Sequence, residues 1–359
     1  MWGRNKQRQD VFIRKPAFAN GRICAGSKKG RVIVFDPKHH VVEANGIRIH
    51  VAEQGEGPVV LFCHGFPESW YSWRHQLLAL AEAGFRAVAP DMRGYGETES
   101  PEAIDQYTLL HLAGDMVGVL DALGAETAVI AGHDWGAPVA WHAALLRPDR
   151  FRGVVGLSVP FIPRGQVYTS PKLPEMEGSV FYQDYFQAPG IAEADLERDV
   201  RTSVRASLFT MSGNVPLPAT LPDGFVPGMV SRRDGFVANM INPPILPAWI
   251  SEAEAEVYVE QFLRTGYRGG LNWYRNISRN RELLGAFDGL KVIVAALYIV
   301  GDRDVVLGFR GMDSVIAGLS QSVPLLQQTI VLAGCGHWTQ QERPKEVSSA
   351  MIGFLNSIG

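Results

Sequence analysis

The segment Gly132-His133-Asp134-Trp135-Gly136 sets a carboxylate between two glycines, each two positions away. That spacing marks a sharp strand-to-helix turn whose nucleophile sits at positive φ, with its neighbours too crowded for any side chain. Serine commonly occupies such a turn, and aspartate changes the chemistry: a carboxylate that attacks an electrophilic carbon leaves an alkyl ester on the protein. The β-branched and alanine run 126–131 predicts a buried parallel strand, and residues 135–146 predict a helix. A helix starting there aims its backbone N–H groups and positive dipole end at Asp134, which favours the ionised carboxylate. An aspartate among glycines is more often a plain turn residue, so the catalytic reading depends on partners elsewhere.

Those partners occur in the chain order that follows a strand-turn-helix elbow of this kind, nucleophile, then acid, then histidine. Residues 291–300 form an apolar strand followed by Gly301-Asp302-Arg303-Asp304, and strand 328–333 is followed by Gly334-Cys335-Gly336-His337-Trp338. His337 is the candidate general base, and either Asp304 or Asp302 the acid that orients it. Upstream, the strand 58–63 runs into His64-Gly65-Phe66-Pro67. The backbone N–H groups of Phe66 and of Trp135, which follows the nucleophile, are the candidate oxyanion donors. Pro67 has no N–H, and the bond before it is a candidate cis peptide. His64 and His133 are read as side chains that tie down turns, since His337 already fills the base role.

A scaffold must bring these loops together. Residues 42–52 alternate around Asn45-Gly46, a hairpin turn. From residue 58 to about 159, strands and helices alternate, as a parallel sheet with crossovers requires. Leu109, Leu112, Ala113, Met116, Val117 and Leu120 recur at helical spacing before Gly124 ends that helix. Between about 160 and 290 the alternation stops and helices dominate, one opened by a Ser251/Glu254 capping box. The sheet then resumes, and a last helix starts at Pro344. The expected organisation is a basic N-terminal extension without assigned role (1–40), a core in two pieces (41–159 and 291–359) and an inserted helical lid (160–290). The extension has no apolar run long enough for a signal peptide or membrane span.

Composition narrows the partners. A net charge of −3 gives no electrostatic case for nucleic acid. An odd count of 3 cysteines argues against a disulfide framework and for a reducing, cytoplasmic setting. No phosphate-cradling loop, dinucleotide fingerprint or HExxH pair is present, so neither a metal nor an organic cofactor is expected, and no membrane.

Six segments, HGFPESWYSWRHQ (64–76), DMRGYGETESP (91–101), GHDWGAPVAW (132–141), YQDYFQAPGIAEADLE (182–197), GLNWYRN (270–276) and GCGHWTQQERP (334–344), together resemble the α/β-hydrolase-fold epoxide hydrolases, especially the soluble type. The resemblance spans about Val41 to the C-terminus. It implies an α/β-hydrolase fold: a mostly parallel eight-stranded sheet flanked by helices, with the lid inserted. It selects Asp304 as the acid, the last residue of its turn, over Asp302. It also implies two lid tyrosines that hold the departing epoxide oxygen: Tyr274 in NWYRN, and Tyr182, with Tyr185 as its rival. A phenol of pKa about 10 is protonated at neutral pH yet far more acidic than water. The implied reaction has two steps: Asp134 opens the ring, then water activated by neutral His337 hydrolyses the ester to a vicinal diol. Phe66, Trp135 and Trp273, with Phe181 and Phe186, are expected to line an apolar tunnel, so the implied partners are a small hydrophobic epoxide and water. A homodimer is left open.

Two other readings share the framework. A haloalkane dehalogenase uses the same aspartate and histidine but needs N–H donors for halide, whereas HGFP offers no asparagine and the lid offers tyrosines. A non-catalytic ligand-binding member of the fold would show decay of the machinery, and every role here has an occupant.

Overall fold

The computed structural model of the protein describes residues 35–164, 178–216 and 227–359. Residues 1–34 of the expected N-terminal extension and two stretches of the expected lid, 165–177 and 217–226, lie outside the described residues.

The described strands are β1 (Lys38–Ala44), β2 (Ile47–Gln54), β3 (Val59–Cys63), β4 (Arg86–Pro90), β5 (Ala128–His133), β6 (Phe151–Leu157), β7 (Ser179–Phe181), β8 (Met229–Ser231), β9 (Ala295–Gly301) and β10 (Leu326–Leu332). Eight of them form one sheet in the order β1-β2-β4-β3-β5-β6-β9-β10. The first two pairings are antiparallel and the rest parallel. The β1–β2 hairpin turns on Asn45 (φ 49°) and Gly46 (φ 80°), the two positive φ values that a tight hairpin turn of this hand needs. Every residue of β3 and β5 is buried, which explains why both read as unbroken apolar runs.

Helices cover the sheet: α1 (Arg74–Glu82), α2 (Leu109–Ala122), α3 (Gly136–Leu146) and the C-terminal Pro344–Ser357, which opens on its proline. The Thr108 side chain caps α2 at its start. From β3 the chain first crosses to β4 on one side and later returns to β5 on the other. That reversal opens a crevice at the carboxyl ends of β3 and β5, where both predicted site loops emerge.

Between β6 and β9 the chain leaves the sheet to form a mainly helical insertion with helices Val200–Thr210, Glu252–Thr265, Arg268–Arg275 and Ile277–Leu283. Ser251 and Glu254 form the capping box. The insertion also contains the antiparallel pair β7–β8, which the sequence pattern does not reveal because three residues are too few to show alternation. The strand expected from residue 291 begins instead at Ala295, which pairs with Gly153 of β6. Before it, the Val292 N–H donates to the Ser322 carbonyl and Ile293 is exposed, so that apolar lead-in has no neighbouring strand to join. Among the described residues no helix is long and apolar enough to cross a membrane.

The elbow is the tightest place in the sheet. A Cβ on Gly132 would lie 2.0 Å from the Gly136 carbonyl oxygen, and one on Gly136 would lie 2.0 Å from the Cys63 carbonyl oxygen. Both contacts are to backbone, which has little room to yield. Gly136→Ala is expected to destabilise the fold by about 1–3 kcal/mol. Gly353→Ala, exposed in the last helix with nothing within 4 Å, should instead stabilise by about 0.5–1 kcal/mol. Urea unfolding followed by circular dichroism measures both, and equal midpoints for the two variants would contradict the packing argument.

Candidate active site

Asp134 follows β5 and holds φ 50°, the left-handed conformation expected of an elbow nucleophile. Gly65 is required opposite it, because a Cβ there would lie 2.2 Å from Asp134 Oδ1. The absence of that Cβ lets the Phe66 N–H donate to Oδ1 at 2.8 Å. Phe66–Pro67 is a cis peptide bond. Trp135 heads α3 directly after Asp134.

His337 sits between two carboxylates. Its Nε2 is 3.5 Å from Asp134 Oδ2, and its Nδ1 is 3.0 Å from Asp304 Oδ1. Asp304 is buried and also accepts from the Val306 N–H, whereas Asp302 is exposed. Burial pulls the His337 pKa down, but Asp304 and Asp134 outweigh it and hold the imidazole well above its usual 6.5. For Asp304, burial pushes up and His337 pulls harder down, leaving it below the usual carboxylate value. With both carboxylates ionised, that direction favours the protonated ring, and the neutral base implied for the water step goes with loss of the Asp134 charge. Ser158 joins them: its Oγ is 3.1 Å from His337 Nδ1, and its own φ is 67°. No motif marked Ser158, which simply follows the end of β6.

The histidine loop is fastened from several sides. The His337 N–H donates to the Met211 carbonyl and the Trp338 indole to the Leu208 carbonyl, both at 2.8 Å and both in the insertion. The Glu342 carboxylate accepts from the N–H groups of Gly213, Gly336 and Trp338. His133 Nε2 lies 2.7 Å from the His337 carbonyl and its Nδ1 lies 2.6 Å from Glu68. Glu68 also accepts from the Gly65 N–H and from Gln340. Burial pushes the Glu68 pKa up, yet His133 brings it down to about 2. His64 Nε2 accepts from the Met92 N–H at 2.9 Å. Both histidines thus fasten loops. Glu68 and Glu342 lie inside HGFPE and QQER, next to residues the sequence singled out.

Above Asp134 the insertion supplies the tyrosines. Tyr182 and Tyr274 have ring centroids 5.8 Å apart, and Tyr274 stands edge-on to Trp135 at 5.1 Å. Gln183 donates to the Tyr182 hydroxyl. Burial and the Asp134 charge push the Tyr274 pKa well above 10, so its hydroxyl stays protonated. Tyr185 turns away, its hydroxyl donating to Asp195.

Asp134 opens into a cavity of about 460 Å³ whose wall here includes Trp135, Tyr182 and Phe309. Several residues expected in that wall stand behind it. Trp273 is fully buried with its indole N–H donating to the Arg93 carbonyl. The Phe66 ring packs between Phe186 and Tyr274, and Phe181 packs beneath Tyr182 against Phe309. Tyr274 stands edge-on to both Tyr182 and Trp135, close enough to Asp134 to feel its charge. The aromatic content was legible in the sequence, but not which ring faces inward.

The sequence pattern of the alpha/beta hydrolase fold family matches residues 58–344. The chain is 44% identical over 325 residues to "Epoxide hydrolase A" of Mycobacterium tuberculosis, covering 90% of this chain and 98% of that one. It is 42% identical over 328 residues to "Epoxide hydrolase 2" of Siraitia grosvenorii, covering 89% and 99%. The solved structure of "Epoxide hydrolase from an endophytic Streptomyces" superposes with a TM-score of 0.82 at 42% identity, over 90% of this chain and 96% of that one.

The charge arrangement around His337 has measurable consequences. In Asp304→Asn the His337 ring should titrate at lower pH than in the parent protein, as followed by NMR of the imidazole; an unchanged titration would mean Asp304 is not what raises it. A folded-state pKa above 6.5 contributes stability that is complete below about pH 6.5 and lost as pH rises through the folded value. The stability gap between parent and His337→Gln should accordingly be widest in mild acid and narrow at alkaline pH.

Proposed function

The chain belongs to the epoxide hydrolases of the alpha/beta hydrolase fold, and on that premise we propose that it converts hydrophobic epoxides to vicinal diols through an ester on Asp134. The observation that carries this reading is the gathering of a carboxylate, a histidine and two tyrosines at one site. Asp134 lies in its elbow with His337 Nε2 at 3.5 Å, close to a pair of tyrosines whose ring centroids are 5.8 Å apart. Indole or amide donors would suit a departing halide. An opening epoxide develops alkoxide charge, which needs the more acidic O–H.

Asp134 attacks one epoxide carbon in line, and the C–O bond on that carbon breaks as Tyr182 and Tyr274 donate to the oxygen. The proton that neutralises the alkoxide is replaced from the imidazolium of His337. Proton and charge then balance: esterification removes the Asp134 charge, and His337 loses both its proton and one of the two carboxylates that held it. A neutral base is created at the moment it is needed. His337, oriented by Asp304 and Ser158, next takes a proton from water. The hydroxide attacks the ester carbonyl, and the oxyanion rests against the N–H groups of Phe66 and Trp135. Collapse expels the diol and restores the carboxylate and the imidazolium. The insertion, residues 160–290, serves as the lid that brings the phenols and excludes bulk water.

With His337→Gln, intact-mass spectrometry after exposure to styrene oxide should reveal the protein plus the whole mass of one epoxide, mapped to Asp134. A protein with no added mass argues against the ester. Tyr182→Phe and Tyr274→Phe should each slow ester formation by about 10²–10⁴-fold in single turnover, with hydrolysis of an ester already formed changed far less. Slowing confined to hydrolysis would remove the tyrosines from ring opening.

A further inference from the structure

The cavity extends from Asp134 along α3, which turns Trp135, Pro138, His142 and Leu145 toward it at helical spacing. Across the cavity stand Ile277, Asn280 and Leu284 of the insertion. His142 is the one imidazole in this wall, and the ester chemistry does not use it. Its Nδ1 lies 2.7 Å from the Pro138 carbonyl, an oxygen that can only accept, so Nδ1 carries the hydrogen. Burial lowers the pKa of the ring against the smaller opposing pull of that same bond, which favours the neutral form. Nε2 is therefore a bare acceptor. Among the described residues nothing donates to it, and it is not among the buried atoms that lack a partner, so it is accessible from the cavity. Phe161 packs against the ring and fixes its direction. On its own helix His142 is flanked by the apolar Trp135, Pro138 and Leu145, so its Nε2 is the polar atom this face of the cavity offers to a donor.

We propose that His142 is a specificity-determining residue, and that its Nε2 accepts a hydrogen bond from a hydroxyl carried by the substrate about 10 Å from the epoxide. The distance follows from the rise of α3 between Trp135 and His142, at about 1.5 Å per residue. This inference rests on the epoxide reading and narrows it: the preferred substrate is an aliphatic epoxide with a remote alcohol, rather than a plain hydrocarbon.

The test uses terminal epoxides of ten carbons bearing either an ω-hydroxyl or an ω-methyl, with kcat/KM measured for both in the parent protein and in His142→Phe. The hydroxyl-to-methyl ratio is expected to fall by about tenfold in the variant, the effect of one lost hydrogen bond that leaves a polar group unpaired. An unchanged ratio overturns the proposal. A second measurement needs no variant: in the parent protein the same ratio should be higher for the ten-carbon pair than for a six-carbon pair, whose hydroxyl falls short of His142. A ratio independent of chain length overturns it equally. Hydrolysis of both probes with a flat ratio defeats only the role of His142, whereas hydrolysis of neither defeats the epoxide reading itself.

Discussion

Backbone crowding at one turn governs the rest of the site. Asp134 can hold its positive φ only because three glycines let β3, β5 and α3 approach to contact. Gly136 presses on the Cys63 carbonyl, Gly132 on the Gly136 carbonyl, and Gly65 on the Asp134 side chain. Each missing Cβ brings a donor or a wall closer to the carboxylate. The Phe66 N–H reaches Oδ1 because Gly65 leaves room for it. The reversal of strand order at β3 places both loops at the same end of the sheet. Everything else at the site, including the histidine, its acid and the phenols, is arranged around a carboxylate whose position is set by sterics.

Charge sets the second level. His337 lies between Asp134 and Asp304, and burial alone would favour its neutral form. The two carboxylates override burial while both are ionised. On the proposed reaction, an ester at Asp134 would remove one of those charges without any movement of the protein and shift the ring toward its neutral form.

The sequence exposed what depends on position along a strand. Asp134, Asp304 and His337 each follow the end of a strand, and the spacing of glycines and apolar runs locates such ends. The hairpin at Asn45-Gly46, the capping box at Ser251 and the start at Pro344 were legible for the same reason: each is a local device with its own chemistry. What depends on direction in space stayed hidden. Trp273 and Phe66 have the composition of a pocket wall but pack against other buried groups, since an aromatic residue in a buried helix or turn can face either way. Ser158 contacts the histidine across 179 residues of chain, and a serine after a strand carries no mark of that. Tyr182 and Tyr185 are separated by three-dimensional contacts alone, one beside Tyr274 and the other on Asp195.

The fastening of the histidine loop to the insertion bears on how such proteins diversify. The backbone of His337 is held by the Met211 carbonyl, and Glu342 grips Gly213 with the same carboxylate that grips Gly336 and Trp338. The segment around 211–213 is thus a shared joint, at once the C-terminal end of the helix Val200–Thr210 and a brace for His337. A lid grafted from a relative would have to reproduce that joint to keep the base in register. Change by exchange of whole lids is consequently costly, and change by single residues along the cavity wall is cheap. The fold channels variation in substrate range toward the walls and away from the roof.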